Sequence, residues 1–218
     1  VSWKGDEGVA AVRGEAVGVR IDPGMLPPVA GAEIVSGTAD AGFEVSAAAD
    51  SIDLDADFAL EGGIVAVGSP AETLRSVTAD VSYSNGALVV RGLEGSWRAA
   101  VIRTAGTVWP AESRLSLEIE AGGAGLASVP FLPDRIKREL EGTVDLTVRV
   151  EGPFGSPTVR FEASGREVRA GKVPIESFAV SGAYTDRLLT VDRLDAAVLG
   201  GRAELRGVIE TDARPWAG

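Results

Sequence analysis

Neither cysteine nor histidine occurs in the 218 residues. Their absence removes disulfides, thiol nucleophiles, zinc–cysteine sites and histidine-based acid–base catalysis together. Positive charge is also scarce: 21 Lys and Arg face 32 Asp and Glu, a net charge of −11. Nucleic acid needs clustered basic residues to neutralise its phosphates, and an anionic membrane surface needs the same. Long apolar runs are missing too. Hydrophobic residues make up 45% of the chain, yet no run approaches the roughly 20 residues of a membrane helix. The first residues lack the basic end and apolar stretch of a secretory signal. Apolar residues are instead dispersed among charged ones, as amphipathic strands require.

Period-two alternation dominates what is present. Val144, Leu146, Val148 and Val150 alternate with Thr143, Asp145, Thr147 and Arg149. Ile52, Leu54, Ala56, Phe58 and Leu60 alternate with Asp53, Asp55 and Asp57, and Ala203, Leu205 and Gly207 with Glu204, Arg206 and Val208. Each reads as an antiparallel strand with one dry and one wet face. Turn chemistry separates the strands. Asn85-Gly86 is the strongest hairpin signal, and Gly62-Gly63, Gly68-Ser69-Pro70, Gly152-Pro153, Gly155-Ser156-Pro157 and Gly200-Gly201 mark further turns. Helical spacing is limited to Leu132, Ile136 and Leu140, a helix of about two to three turns with Pro133 in its first turn.

An internal repeat orders these elements. Leu74–Val108 matches Ile175–Ile209 at an offset of 101: Val77 meets Phe178, Tyr83 meets Tyr184, Leu88 meets Leu189, Val90 meets Val191 and Gly106 meets Gly207. Leu26-Pro27 with Gly37-Thr38 recurs as Leu132-Pro133 with Gly142-Thr143. At the front, Ser2-Trp3-Lys4 and Gly14 echo Ser96-Trp97-Arg98 and Gly106. The expected division is residues 1–20 as the end of a preceding repeat, 21–110 as a first β repeat and 111–218 as a second, cut from a longer array.

The search for chemistry yields little. Asp53, Asp55 and Asp57 suggest a calcium loop, but its glycine and bidentate glutamate positions hold Phe58 and Ile64, so a solvated strand face is the better reading. Gly122-Gly123-Ala124-Gly125 lacks the lysine and the spacing of a phosphate cradle and reads as a flexible connection. No nucleophile elbow or Ser-x-x-Lys pair is present. The recurrence of Tyr83 and Tyr184 points to packing, and Trp3, Trp97, Trp109 and Trp216 suit the capping of a sheet edge. The chain reads as non-enzymatic, with no cofactor and no metal. A single apolar sheet face must still be buried on something. A module of eight or nine short strands, ~4.8 Å apart, would advance by about 40 Å and form a trough that an acyl chain could line.

One stretch resembles a known family: the Leu-Pro start and short helix, Glu141 to Pro153, Gly155-Ser156-Pro157, Tyr184-Thr185-Asp186, Leu188 to Val191, and Leu199 to Gly207. The pattern is similar to the repeated region of the TamB and AsmA-like proteins of Gram-negative envelopes and covers nearly the whole chain twice. The resemblance implies an all-β fold, an elongated and curved antiparallel meander of short strands with one or two short helices and a taco-like apolar groove. It implies a periplasmic location, an inner-membrane anchor outside these residues, and phospholipid transport towards the outer membrane. Neighbouring repeats of the same chain and an Omp85-type outer-membrane barrel are the implied partners, although the region tied to that barrel is not recognisable here. On this reading the groove lining is Ile52, Leu54, Phe58, Val77, Tyr83, Leu88, Val90 and Ile102 in the first repeat. In the second it is Val144, Leu146, Val148, Val159, Phe161, Phe178, Val180, Tyr184, Leu189, Val191 and Leu205. The alternative is a structural or adhesive protein of two tandem β-sandwiches, distinguished by whether the apolar faces close on one another.

Overall fold

The computed structural model describes residues 2–6, 9–22, 32–48, 51–67, 72–126 and 138–210. The described chain is all-β. Thirteen strands run β1 (Ser2–Asp6), β2 (Val9–Ile21), β3 (Ala32–Ala48), β4 (Ser51–Val67), β5 (Glu72–Ser84), β6 (Ala87–Trp97), β7 (Ala100–Trp109), β8 (Arg114–Gly125), β9 (Leu140–Pro153), β10 (Thr158–Ala170), β11 (Val173–Thr185), β12 (Leu188–Val198) and β13 (Gly201–Glu210). Strand order in the sheet is the order along the chain, an open antiparallel meander. A tandem sandwich needs Greek-key crossings between two facing sheets, and the described strands make none.

Two compact units divide the chain. The first is Val1–Arg98 with Arg103–Ser113, and the second is Ala99–Ile102 with Arg114–Gly218. Their internal registers repeat in three strand pairs, whereas β4–β5 sets Ala56 opposite Tyr83 and β10–β11 sets Phe161 opposite Gly182, two residues short of Tyr184. In unit 1, β3 pairs β4 with Thr38 opposite Glu61 and Ser36 opposite Ile64. In unit 2, β9 pairs β10 with Thr143 opposite Arg166 and Glu141 opposite Arg169, each residue 105 positions on. The hairpin β5–β6 skips at Arg91 between Asp80–Gly92 and Val81–Val90. The hairpin β11–β12 skips at Asp192 between Ser181–Arg193 and Gly182–Val191, an offset of 101. Because a one-residue slip would turn every side chain to the other face, a shared pattern of bulges fixes a shared pattern of faces.

Glycine explains where the sequence reading and the structure part. Gly62-Gly63, expected as a turn, lies inside the 17-residue β4 as a bulge, with Gly62 at φ 62°. Gly122-Gly123, expected as a flexible connection, is a bulge within β8, with Gly123 at φ 67°. A left-handed glycine serves a bulge as readily as a turn. The strands are consequently long rather than short, and each module (β2–β7, β8–β13) holds six of them rather than eight or nine. At ~4.8 Å per strand the module advances by about 29 Å, not 40 Å.

The expected turn at Asn85-Gly86 is present, with φ of 50° and 74°. Asp186-Arg187 (47° and 71°) and Leu199-Gly200 (52° and 74°) adopt the same two-residue, left-handed form, whose twist matches the flanking strands. Of the expected helix, residues 127–137 lie outside the described residues; Leu140, placed at its end, instead opens β9. The front echo joins different strands. Gly14 belongs to β2, which carries the same bulge as β8, whereas Gly106 belongs to β7.

Candidate apolar face and its polar reverse

Register places the apolar residues of unit 2 in rows that cross six strands. Leu117, Val150, Val159, Tyr184, Leu189 and Ile209 form one row. The next is Ile119, Val148, Phe161, Gly182, Val191 and Gly207, followed by Ala121, Leu146, Ala163, Val180, Leu194 and Leu205. A fourth holds Ala124, Val144, Gly165, Phe178, Ala196 and Ala203. Glycines within the rows are roofed by aromatic rings. A Cβ on Gly165 would lie 2.5 Å from Phe178 Cε1, and one on Gly182 would lie 2.8 Å from Phe161 Cζ.

Unit 1 has the same construction. Val12, Val45 and Leu54 share a row, as do Gly14, Phe43, Ala56, Tyr83 and Leu88, and then Ala16, Ala41, Phe58, Val81 and Val90. The Phe43 ring roofs Gly14. Towards the bulged ends the face packs into a core of Ile21, Ala39, Leu60, Val65, Val77 and Ala79, flanked by Ile34, Phe58, Leu74, Val81 and Leu93.

The structure therefore sorts the expected lining residues by depth. Val77 is fully buried, and Val144 and Val159 are buried as well, the most covered of the expected lining. Phe58, Tyr83, Leu88, Val90, Leu146, Val148, Phe161, Phe178, Val180, Tyr184, Leu189 and Val191 are half-buried. Leu54 and Leu205 are exposed at 40% and 55%. Ile52 stands opposite Ala47 in the β3–β4 ladder. Ile102 is half-buried and alternates with Arg103, whose guanidinium meets Glu94 on the polar side. Residues missed from the sequence include Phe43, 44% exposed, and Leu117 and Ile119. Their signal was available in Leu115-Ser116-Leu117-Glu118-Ile119-Glu120, a clean alternation.

The reverse face carries charge in cross-strand pairs. Arg91 on β6 reaches Asp80 on β5 at 2.6 Å and Asp57 on β4 at 3.0 Å. Arg103 meets Glu94 at 2.8 Å, Arg149 meets Glu118 at 3.2 Å, Arg160 meets Glu151 at 3.2 Å, and Arg202 meets Asp195 at 2.8 Å. Asp195 also bonds Arg193. In each of these cross-strand pairs the acid lies on the earlier strand and the arginine on a later one. Hydrogen bonds from Arg91 hold the Asp80 carboxyl below its ordinary range, and those from Arg202 and Arg193 do so for Asp195. Arg91, Arg149 and Arg202 are raised by the same contacts. Asp53, Asp55 and Asp57 stand exposed on this face. Two further carboxylates cap bulges: Asp40 accepts from the Gly18 N–H at 2.6 Å and Asp145 from the Gly123 N–H at 2.9 Å.

Three open hollows are also found on this polar side. One of about 880 Å³ lies among Thr143, Asp145, Ser164, Arg166, Ser177, Asp195 and Arg202. A second, of about 600 Å³, adds Glu162, Ser181 and Arg193. In unit 1 a hollow of about 590 Å³ lies among Arg13, Glu15, Asp40, Glu44, Asp57, Asp80 and Arg91. The unit 1 hollow also reaches Gly14, Phe43 and Phe58 of the apolar rows. Among the described residues no polar or charged side chain is buried and no group of three or more His, Cys, Asp or Glu could hold a metal ion. No described helix is long and apolar enough to cross a membrane. No protein-family model, curated protein or solved structure matches the chain.

Proposed function

We propose that this chain is a non-enzymatic module of the TamB and AsmA-like kind, whose apolar sheet face carries phospholipid acyl chains between bacterial membranes in the periplasm. One observation carries the reading: the rows from Leu117 to Ile209 and from Ile119 to Gly207 form a continuous apolar face six strands wide, with no second described sheet against it. An open apolar face of that width is what a binding surface exposes and a self-contained monomer avoids. An acyl chain laid along it gains about 0.8 kcal/mol per buried methylene. No single residue needs to do chemistry. The charged reverse keeps the opposite side wet, as a two-environment sheet requires. In the full protein, neighbouring repeats and an Omp85-type barrel would extend the path.

Val148 and Phe161 are direct partners in the ladder, so two aspartates there interrupt the face at its middle. The chain, purified without detergent, is expected to carry stoichiometric phospholipid in an organic extract analysed by mass spectrometry. The V148D/F161D variant, checked for native circular dichroism, should have lost it. A native chain that is lipid-free, and takes up no labelled phospholipid from vesicles, would overturn the proposal.

A further inference from the structure

We infer that Asn85-Gly86, the turn of the β5–β6 hairpin, is a site of spontaneous covalent modification, at which the asparagine becomes aspartate or isoaspartate. Asn85 is the only asparagine in the chain and glutamine is absent, so one side chain alone carries a carboxamide. It stands exposed at the hairpin tip with φ of 50°, and Gly86 follows at 74°. The closing hydrogen bond of such a turn joins its first and fourth residues, here the facing pair Ser84 and Ala87. The Gly86 N–H is thereby left outside the ladder. A Cβ built on Gly86 would meet nothing within 4 Å, and glycine itself has none to crowd an approach to its nitrogen. Asn85 Nδ2 donates to the Ser84 hydroxyl at 3.2 Å, a surface contact that holds the carboxamide without burying it.

The chemistry needs water and no other reagent. Gly86 N loses its proton and attacks Asn85 Cγ, so an N–Cγ bond forms and the Cγ–Nδ2 bond breaks. Nδ2 leaves as ammonia with the proton that the Gly86 nitrogen gave up, and a five-membered imide remains. Water then adds at one of the two imide carbonyls. Opening at Cγ gives aspartate on the original backbone; opening at the main-chain carbonyl gives isoaspartate, one methylene longer. Nothing is oxidised or reduced. Ring closure requires Asn85 to rotate out of its left-handed conformation, which an exposed hairpin tip reaches by local opening at far less cost than global unfolding. The repeat shows which product the turn accepts. At the offset of 101 the counterpart of Asn85 is Asp186, with φ of 47°, followed by Arg187 at 71°. Aspartate therefore closes the same two-residue turn in unit 2, and the Arg187 side chain crowds the nitrogen that Gly86 leaves open. Isoaspartate has no such precedent, and its longer backbone disturbs the register that sets Tyr83 opposite Leu88.

Incubation of the native chain at neutral and mildly alkaline pH, followed by intact mass and peptide mapping, tests this. The mass shift of an amide-to-acid exchange should appear at Asn85, as separable aspartate and isoaspartate peptides. It should appear faster at the higher pH, because the attacking nitrogen reacts as its anion. G86R copies the Arg187 position into this turn and, with native circular dichroism, should slow the conversion by about tenfold or more. N85D should fold with native circular dichroism, as the Asp186 turn does. The native chain's own conversion is decisive whether or not a variant folds. A native chain that keeps its mass throughout, or a folded G86R variant that converts as fast as the native chain, overturns the inference.

Discussion

Where β3, β4 and β5 cross the packed end of unit 1, Ala39, Leu60 and Ala79 stand side by side. The same row of unit 2 reads Val144, Gly165 and Phe178. A large residue on the middle strand flanked by small ones becomes an empty middle position roofed by its neighbour's ring. Two rows away the exchange is repeated. Gly14 beneath Phe43 gives way to Ile119 beside Val148, while Phe161 now roofs Gly182. Close packing explains this: a row needs a certain total volume, and a ring can supply it from either strand. The backbone is less forgiving. Gly18 and Gly123, Gly37 and Gly142, Thr38 and Thr143, and Asp40 and Asp145 keep their identities across the copies, because a bulge fixes where φ turns positive and where an N–H needs an acceptor.

Exchanging the packing between the units tests this most severely. Phe178→Ala is expected to cost about 2–4 kcal/mol through the cavity it leaves, and Gly165→Leu about 1–3 kcal/mol through overpacking. Together they install unit 1's arrangement in unit 2, and the double variant should fall short of the sum by at least about 1 kcal/mol. Urea unfolding midpoints measure all three, and strict additivity would sink the idea of conserved row volume.

The retained bulge caps should behave alike in both units. Asp40→Ala and Asp145→Ala each leave a glycine N–H without its acceptor and are expected to cost about 1 kcal/mol. Asparagine at either position keeps an acceptor oxygen and should restore most of the loss. A cost confined to one unit would show that the shared bulge is not equally needed.

The smallest effect concerns charge. Asp80 in unit 1 and Asp195 in unit 2 both have carboxyls held below the ordinary value of 3.8 by arginine. A lowered folded-state pKa contributes stability that is complete above the unfolded-state value and disappears as pH falls through the folded one. Asp80 is solvent-exposed and Asp195 partly covered, and each stands at the surface beside water, so salt screens the contribution and its size stays small. Below about pH 4 the native chain should therefore lose stability more steeply than Arg91→Leu or Arg202→Leu. Equal slopes would show that the pairs add nothing.

Much of the fold was legible because alternation is a local signal. Val144 to Val150 and Leu54 to Leu60 lie on the face the pattern assigns them, and Asn85-Gly86 turns where it should. Strand length was not legible. Gly62-Gly63 and Gly122-Gly123 look alike as turn or as bulge until the partner strand is known, and that partner is distant in sequence. Asp186, Arg187 and Leu199 take left-handed conformations in their turns without being glycine, which tertiary pairing imposes. Depth was hidden for the same reason. Nothing in the alternation separates the buried Val77 and Val144 from the more open Leu54 and Leu205, because burial depends on which strands and side chains come to lie beside each residue in the sheet.

The relocation of bulk between Leu60 and Phe178 also guards the chain while it folds. Two copies of one module invite a strand of the first to dock on a strand of the second, the usual misassembly of repeated sequences. Here β4 laid against β11 in the place and register of β10 would drive Leu60 into Phe178, and β10 laid against β5 in the place and register of β4 would leave Gly165 facing Ala79 across a gap. Each wrong partner is either too large or too small, so the copies are discouraged from exchanging strands even though their bulges match.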